Sequence, residues 1–403
     1  MEKILNVGLL FLFLISFISC NSQTKKEETP TRNNKSKIVG GGCDGCELMY
    51  VGMPTNIQSV DTSSAWNEKG QRLLVTGKVL KLDGLTAAPN VVVYYWQTDN
   101  NGHYSPGNGF NKNAEKHGHV RGWVKSDEDG RYSIYTIRPA NYPNSDMAAH
   151  IHLSIKEPEI DDEYYTDGLV FADDIKLTSD KRKKFENRGG SGILRVLIDK
   201  EMQVAEHNII LGLNIPNYPV PTTNNRIKSG LEIGEDNPSF TPFHAWGSDK
   251  GTRTCPVCKY GRFHGIVYFV GNKPNWSEIK KWLTFLESES VKRERYLKAY
   301  FVYGNDKTYT KVGRQQELEQ LGKELNIENM ALTFVPSFSD NQSEVYLNKI
   351  NPKAENTIII YQHRNIIGKF IDLKPTNENK TKVSDMLNKT RNEYFELPEP
   401  KHD

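Results

Sequence analysis

The chain has 403 residues, a formal charge of +2 from 52 Lys and Arg against 50 Asp and Glu, and 25% charged residues. That length exceeds one ordinary compact core and points to two globular units with tails. The near-neutral balance excludes a basic nucleic-acid face and a polybasic membrane patch, which leaves small molecules as the expected partners and no nucleic acid.

Lys3 precedes an apolar run from Val7 to Ile18, too short for a comfortable transmembrane span and the right size for the core of an export signal. The stretch "FISC" at 17–20 resembles a bacterial lipoprotein signal, which implies removal of residues 1–19 and a lipid on Cys20. An uncleaved anchoring helix is the alternative. Residues 20–37 are polar, without an apolar period to bury, and read as a flexible tether. Acyl chains on Cys20 would hold the protein to a membrane at about 0.8 kcal/mol per buried methylene. Asn21 behind the cysteine, rather than an aspartate, favours the outer membrane or the periplasmic face.

Four further cysteines occur as Cys43 and Cys46 in "CDGC" and Cys255 and Cys258 in "CPVC". In an exported chain, local disulfides are the expected state of both pairs. A shared zinc site is the alternative, with ligands more than two hundred residues apart.

From about Leu73 to Leu213 short β-type runs alternate with turns: "LLVTGKVLKL", "NVVVYYWQT", "RYSIYTI", "HIHLSI", "ILRVLID" and "HNIILGL". "DDIKLTSDKRKKFENR" is the best helical candidate among them. An antiparallel β-sandwich over 38–220 is the predicted architecture. In "HIH", His150 and His152 are two residues apart, so one strand would present both imidazoles on one face. They make either a polar strand face or half of a metal site.

Two neighbouring stretches bear on that choice. "YYWQTDNNGHYSPGN" carries Tyr104 in a turn, and "DEDGRYSIYTIRPANYP" delivers Tyr142 ahead of the histidines. The ordered set W-Q-x-D-x-x-G-x-Y, D-G-x-Y-x-x-x-T-I-x-P-x-x-Y-P and H-I-H resembles the intradiol ring-cleavage dioxygenases, the group of protocatechuate and catechol dioxygenases, over roughly Leu73 to Asp174. The resemblance implies a ferric ion, Fe(3+), held by Tyr104, Tyr142, His150 and His152. It also implies insertion of both atoms of O2 into a catechol-like aromatic, with ring opening between the hydroxylated carbons. Tyr142 would be displaced by substrate and would help take up a proton. Phenolates are hard anionic donors suited to a trivalent ion, and imidazoles complete the shell without charge. A tyrosine keeps its proton to pH about 10 unless a metal displaces it. Two residues depart from the pattern: Met147 stands where the family has an arginine beside the substrate, and Gly168 where it has a glutamine. Arg121 and Arg138 are the candidate replacements for the missing charge.

Prolines and polar residues mark a linker at 221–230. Over 231–390, "GIVYFV", "WSEIKKWLTFLES", "LKAYFVY", "QQELEQLGKEL" and "ALTFV" alternate strand and helix, followed by a hairpin in "NTIIIYQHRNIIGKFI" and a helix in "KVSDMLNKTRNEYF". With "CPVC" this resembles the redoxin-type branch of the thioredoxin-like superfamily, which implies an α/β domain with Cys255 and Cys258 as a redox pair. "CPVC" precedes the strand rather than following it, and Asn356 stands where the family's cis-proline is expected. A structural disulfide is the competing reading. Residues 391–403 read as a C-terminal tail. The alternative functions are a non-catalytic exported binding lipoprotein and a thiol-disulfide protein using "CPVC". Oligomerisation is left open.

Overall fold

A computed structural model describes residues 38–43, 45–107, 111–219 and 227–400. The export signal, Cys20 and the tether lie outside the described residues. Among the described residues no helix is long and apolar enough to cross a membrane.

In chain order the first half forms β1 (Val60–Thr62), β2 (Arg72–Leu80), β3 (Val92–Gln97), β4 (Arg121–Lys125), β5 (Arg131–Ile137), β6 (His150–Lys156), β7 (Tyr164–Tyr165) and β8 (Leu169–Phe171). A one-turn helix α1 (Ser179–Arg182) is followed by β9 (Ile193–Leu194), β10 (Leu197–Asp199), β11 (Met202–Glu206) and β12 (Ile209–Ile210). One sheet has the order β1-β5-β2-β11-β10, with β12 also on β2; the other has β4-β3-β6-β8-β9, with β7 on β6. Val75, Val79, Ile134, Val93, Tyr95, Ile151, Leu153 and Ile155 share one buried core. Every second residue of β3 and β6 therefore faces that core. The intervening Tyr94, Trp96, His150 and His152 fall on the opposite face of their sheet.

The sandwich is mixed rather than purely antiparallel. β1 pairs parallel with β5, β11 and β12 parallel with β2, and β8 parallel with β9. Period-two alternation is identical in parallel and antiparallel strands, so the sequence pattern carries no information on this point. The expected helix over 173–188 shrinks to α1. Thr178 caps it, but only Leu177 and Phe185 turn apolar surface inward, and no stripe of helical period supports a second turn.

The second half contains β13 (Phe243–Trp246), α2 (Pro256–Tyr260), β14 (His264–Val270), α3 (Trp276–Arg293), β15 (Leu297–Tyr303), α4 (Lys311–Glu324), β16 (Ala331–Phe334), β17 (Thr357–Gln362), β18 (Asn365–Ile371) and α5 (Asn377–Thr390). Its sheet runs β13-β16-β15-β14-β17-β18. β14, β15 and β16 are mutually parallel neighbours, whereas β17 and β18 are antiparallel to what they pair with. All seven residues of β14 are buried, as a strand covered on both faces requires. The side chains of Asn275, Thr310 and Thr376 accept hydrogen bonds from the first turns of α3, α4 and α5, which sets where those helices start.

From Ile38 onward the chain clusters as one compact unit. The Ser191 N–H donates to the Gly234 carbonyl at 2.6 Å. The part-buried Arg195 pairs with Asp236 at 2.7 Å. Residues 391–400, expected to form a tail, return to the first half: Ile198 N–H donates to the Pro398 carbonyl at 2.8 Å, and Phe395 is buried. Asn392 donates to the Glu206 carboxylate at 2.7 Å.

Burial pushes the Glu206 carboxyl up to about 7, with Glu393 adding to the rise and the Asn392 bond opposing it. The unfolded chain ionises near the ordinary value of 4.5, so between these two values it releases its proton before the folded chain does. Stability is then greatest below that window, falls as pH rises through it and stays lower above. At about 1.36 kcal/mol per unit the fall is on the order of 3 kcal/mol. Glu206→Gln retains an acceptor for Asn392, and denaturant unfolding from pH 4.5 to 8 is expected to show this variant losing the decline and exceeding wild-type stability at pH 8.

Candidate active site

The segment after β3 shows why Tyr104 lies where it does. Gln97 Nε2 donates to the Ile137 carbonyl at 2.7 Å, and Thr98 Oγ1 to the Ala140 carbonyl at 2.7 Å. These bonds tie the end of β3 to the end of β5. Asp99 Oδ1 accepts from the N–H groups of Asn101 and His103 at 2.8 and 3.1 Å, and its Oδ2 accepts from Ser105 Oγ at 2.6 Å. The carboxylate thereby coils residues 99–105 around itself, as an aspartate turn does. Gly102 lies at φ 82°, and a Cβ there would stand 2.1 Å from the Asn141 carbonyl oxygen. Only glycine allows the loop bearing Tyr104 to touch the loop bearing Tyr142.

Asp174 organises the other side. Its Oδ2 accepts from the Ala149 N–H and from Asn141 Nδ2, both at 2.8 Å, and its Oδ1 accepts from the Lys176 N–H at 2.8 Å. Burial raises the Asp174 pKa, but these bonds outweigh it and hold the carboxyl below the usual range. A single ionised side chain thus fixes both the Tyr142 loop and the entry to β6.

The four residues singled out by the sequence converge. Tyr104 Oη is 2.6 Å from Tyr142 Oη, and Tyr142 Oη is 3.3 Å from His150 Nε2. His150 Nε2 is 3.0 Å from His152 Nε2, which is 3.1 Å from Tyr104 Oη, so the ring closes. Donors bound at about 2.0–2.2 Å to one ion, at right angles, stand about 3 Å apart, so the donor set fits a single metal ion. Among the described residues no group of three or more His, Cys, Asp and Glu could hold a metal. Any metal centre here depends on the two phenols.

His150 Nδ1 is 2.8 Å from the Ala148 carbonyl. That acceptor demands the proton on Nδ1 and leaves the Nε2 lone pair directed at the cluster. Burial lowers the His150 pKa, and burial with His150 and His117 nearby lowers His152 to about 3. Both imidazoles are therefore neutral near pH 7. Burial and the adjacent Tyr142 hydroxyl push Tyr104 far above the usual phenol range. A strongly charged cation is what could draw that proton off.

Beside the cluster a groove of about 540 Å³ is lined by Tyr165, Gly168, Lys181, Lys184, Phe185 and Arg188, together with acidic residues. A Cβ at Gly168 would lie 3.3 Å from Tyr165 Oη and 3.9 Å from the His150 Cβ. The glycine keeps this side open. Met147 is half exposed on the Tyr142 loop. Neither candidate replacement arginine is available. Arg121 donates to Tyr94 Oη and to the carbonyls of Leu48 and Val51. Arg138 is bidentate to Asp173 at 2.7 and 2.9 Å. The cations near the cluster are instead Lys181, paired with Asp146, Arg188, paired with Glu186, and Lys184, which makes no ion pair among the described residues. The sequence reading missed Asp174, Gly102 and Lys184. "D-x-x-G" already contains the first loop's logic, whereas nothing local ties Asp174 or Lys184 to the histidines.

Both cysteine pairs close on themselves, Cys43–Cys46 with Cα atoms 5.6 Å apart and Cys255–Cys258 with Cα atoms 5.3 Å apart. These are the local disulfides expected for an exported chain, and a shared zinc site is set aside. "CPVC" opens the short helix α2 and precedes β14.

Residues 49–188 match the family model described as Dioxygenase. A curated relative, 6-chlorohydroxyquinol 1,2-dioxygenase of Cupriavidus pinatubonensis, is 33% identical over an aligned stretch of 106 residues, a match that covers 22% of this chain and 37% of that protein. The chain thus spans little more than a third of that relative's length. Similar solved structures include the dioxygenase domain of a carbohydrate-binding fusion protein from Streptomyces sp. SirexAA-E, at 20% identity and TM-score 0.30, covering 40% of this chain and 91% of that one. Hydroxyquinol 1,2-dioxygenase from Pseudomonas putida DLL-E4 matches at 23% identity and TM-score 0.30, covering 39% and 61%.

Gly102→Ala is expected to part the two tyrosine loops and to destabilise the protein by about 1–3 kcal/mol. Denaturant unfolding and ferric-ion titration of the variant check both consequences, the second as a loss of metal affinity of about 10-fold or more.

Proposed function

We propose that the first half is a ferric intradiol-type dioxygenase unit acting on a catechol-like substrate. The observation that carries this reading is the closed ring of four donor atoms, Tyr104 Oη, Tyr142 Oη, His150 Nε2 and His152 Nε2, with edges of 2.6 to 3.3 Å. The match of residues 49–188 to the dioxygenase family model supports it independently. Two phenolates and two neutral imidazoles present two negative charges, so a trivalent ion retains one positive charge to attract a catecholate.

Ferric iron, when bound, draws electron density from a coordinated catechol and so exposes a ring carbon to dioxygen. The protein's part is to bind, orient and move protons. Tyr142 sits on a loop at the edge of the cluster, and its Oη is the atom that takes a proton from an incoming substrate hydroxyl. Tyr104 is held from behind by the Asp99 turn, and His150 and His152 by strand β6. These three stay in place while Tyr142 moves. Gly168 leaves room on the open side for a ring substituent, and the Lys184 ammonium at the rim favours an anionic one. A lipid on Cys20 would tether this unit to a membrane, a role that purified full-length protein retained by detergent would support.

Iron-free protein given ferric ion is expected to turn red to burgundy from tyrosinate-to-iron charge transfer, with Tyr142→Phe weakening or shifting the band in a visible spectrum. Oxygen uptake with a panel of catechols, with and without an acidic substituent, tests turnover. Protein that binds no iron under these conditions removes the metal reading. Coloured protein that consumes no oxygen with any catechol leaves a binding protein in its place.

A further inference from the structure

Behind the donor cluster, on the side away from the groove, lies a stack of rings that the four donors do not account for. Trp96 of β3 is the direct cross-strand partner of His152 of β6. Their rings are parallel to within 9°, with centroids 4.7 Å apart. A third ring, His117, is parallel to Trp96 within 8° at 4.1 Å. Two imidazoles parallel to one indole at these separations occupy its two faces, so the indole is clamped between them.

His117 ends the 3-10 segment Lys112–His117, far from β6 in sequence, and is 5% exposed. Its Nδ1 is 2.8 Å from Tyr94 Oη, which accepts from Arg121 Nη1 at 3.0 Å. With that acceptor position taken, the Tyr94 hydroxyl proton goes to Nδ1, and the imidazole proton is on Nε2. Nε2 faces Gly45 in the loop closed by the Cys43–Cys46 disulfide, where a Cβ would stand 3.1 Å away. The column therefore runs from the disulfide loop through His117 and Trp96 to His152.

The β3–β6 register fixes where the His152 backbone sits but leaves the imidazole free to rotate about two side-chain torsions. A metal ligand needs its ring plane set as well, because the lone pair lies in that plane. We infer that His117 is a positioning residue of the donor cluster: by clamping Trp96 from behind, it sets the plane of His152 and the aim of Nε2. The inference rests on the ferric reading above. A residue that only filled space behind Trp96 would change stability and leave metal affinity alone.

Ferric ion, supplied as its citrate chelate to iron-free full-length protein and titrated against a competing chelator, measures affinity, and the visible band reports ligand geometry. His117→Gln keeps an acceptor for Tyr94 and loses the ring; it is expected to weaken ferric binding about 10-fold or more and to move the band. His117→Phe keeps the ring and loses the Tyr94 bond, and is expected to bind as wild type does. Gly45→Ala pushes a methyl group against His117 Nε2 from the disulfide loop, changes affinity in the same direction as His117→Gln, and carries the test should that variant not fold. Wild-type affinity with an unmoved band in His117→Gln and Gly45→Ala overturns the inference, even if their melting temperatures fall. So does His117→Phe binding as weakly as His117→Gln, since the ring would then not be what matters. Wild-type protein that takes up no ferric ion overturns the underlying reading instead, which keeps the two failures distinct.

Discussion

Everything at the candidate site depends on the approach of two loops that leave opposite sheets. The Asn141 carbonyl lies where a Cβ of residue 102 would be, and no side chain could share that space. Gln97, Thr98 and Asp99 draw the end of β3 onto the end of β5 through hydrogen bonds to backbone carbonyls and N–H groups. Tyr104 and Tyr142 are carried along by that closure. Their hydroxyls meet at 2.6 Å because backbone, not side chain, sets the distance between the loops.

The histidines arrive by a different rule. A strand shows alternate residues to opposite faces, so Ile151, Leu153 and Ile155 anchor β6 in the core while His150 and His152 project on the far side. Burial of the apolar set holds the strand, and Asp174 and the Ala148 carbonyl orient what it presents. The environment keeps both imidazoles neutral and holds the proton on Tyr104, so a cation bound here would have to displace that proton. A polar strand face and a metal site are the same sequence pattern; what sets this strand apart is that the tyrosine loops bring two phenols against its histidines.

The second half is joined to the first by groups that neither half satisfies alone. Arg195 of the first half finds its counter-ion in Asp236, and the Ser191 N–H donates to the Gly234 carbonyl at 2.6 Å. Within the second half, Arg364 at the β17–β18 turn donates to Ser239 Oγ at 2.9 Å. His363 and Arg364 both occupy positive φ in that turn, at 47° and 68°. Neither residue favours that conformation, and the contacts made by Arg364 hold it there. The final segment closes the same seam from the other side through Asn392 and Pro398.

The sequence by itself determined the long strands β2, β3, β5 and β6 of the first half, the strand-helix alternation from β14 onward and the two local cysteine pairs, and through a family resemblance it singled out the four residues of the candidate site. Each of these is written in short-range terms: a period of two, a capping residue, a spacing of three, or a motif whose Asp99 turn closes within six residues. Tertiary structure alone decided the parallel pairings, because side-chain alternation is blind to strand direction. It also decided that Arg121 and Arg138 are occupied by carbonyls and a carboxylate, that Lys184 stands at the groove, and that residues 391–400 are packed rather than free. His117 belongs to the same group. Its neighbours come from two other parts of the chain, Gly45 from the disulfide loop and Tyr94 and Trp96 from β3, and only folding brings long-range partners of that kind into one stack.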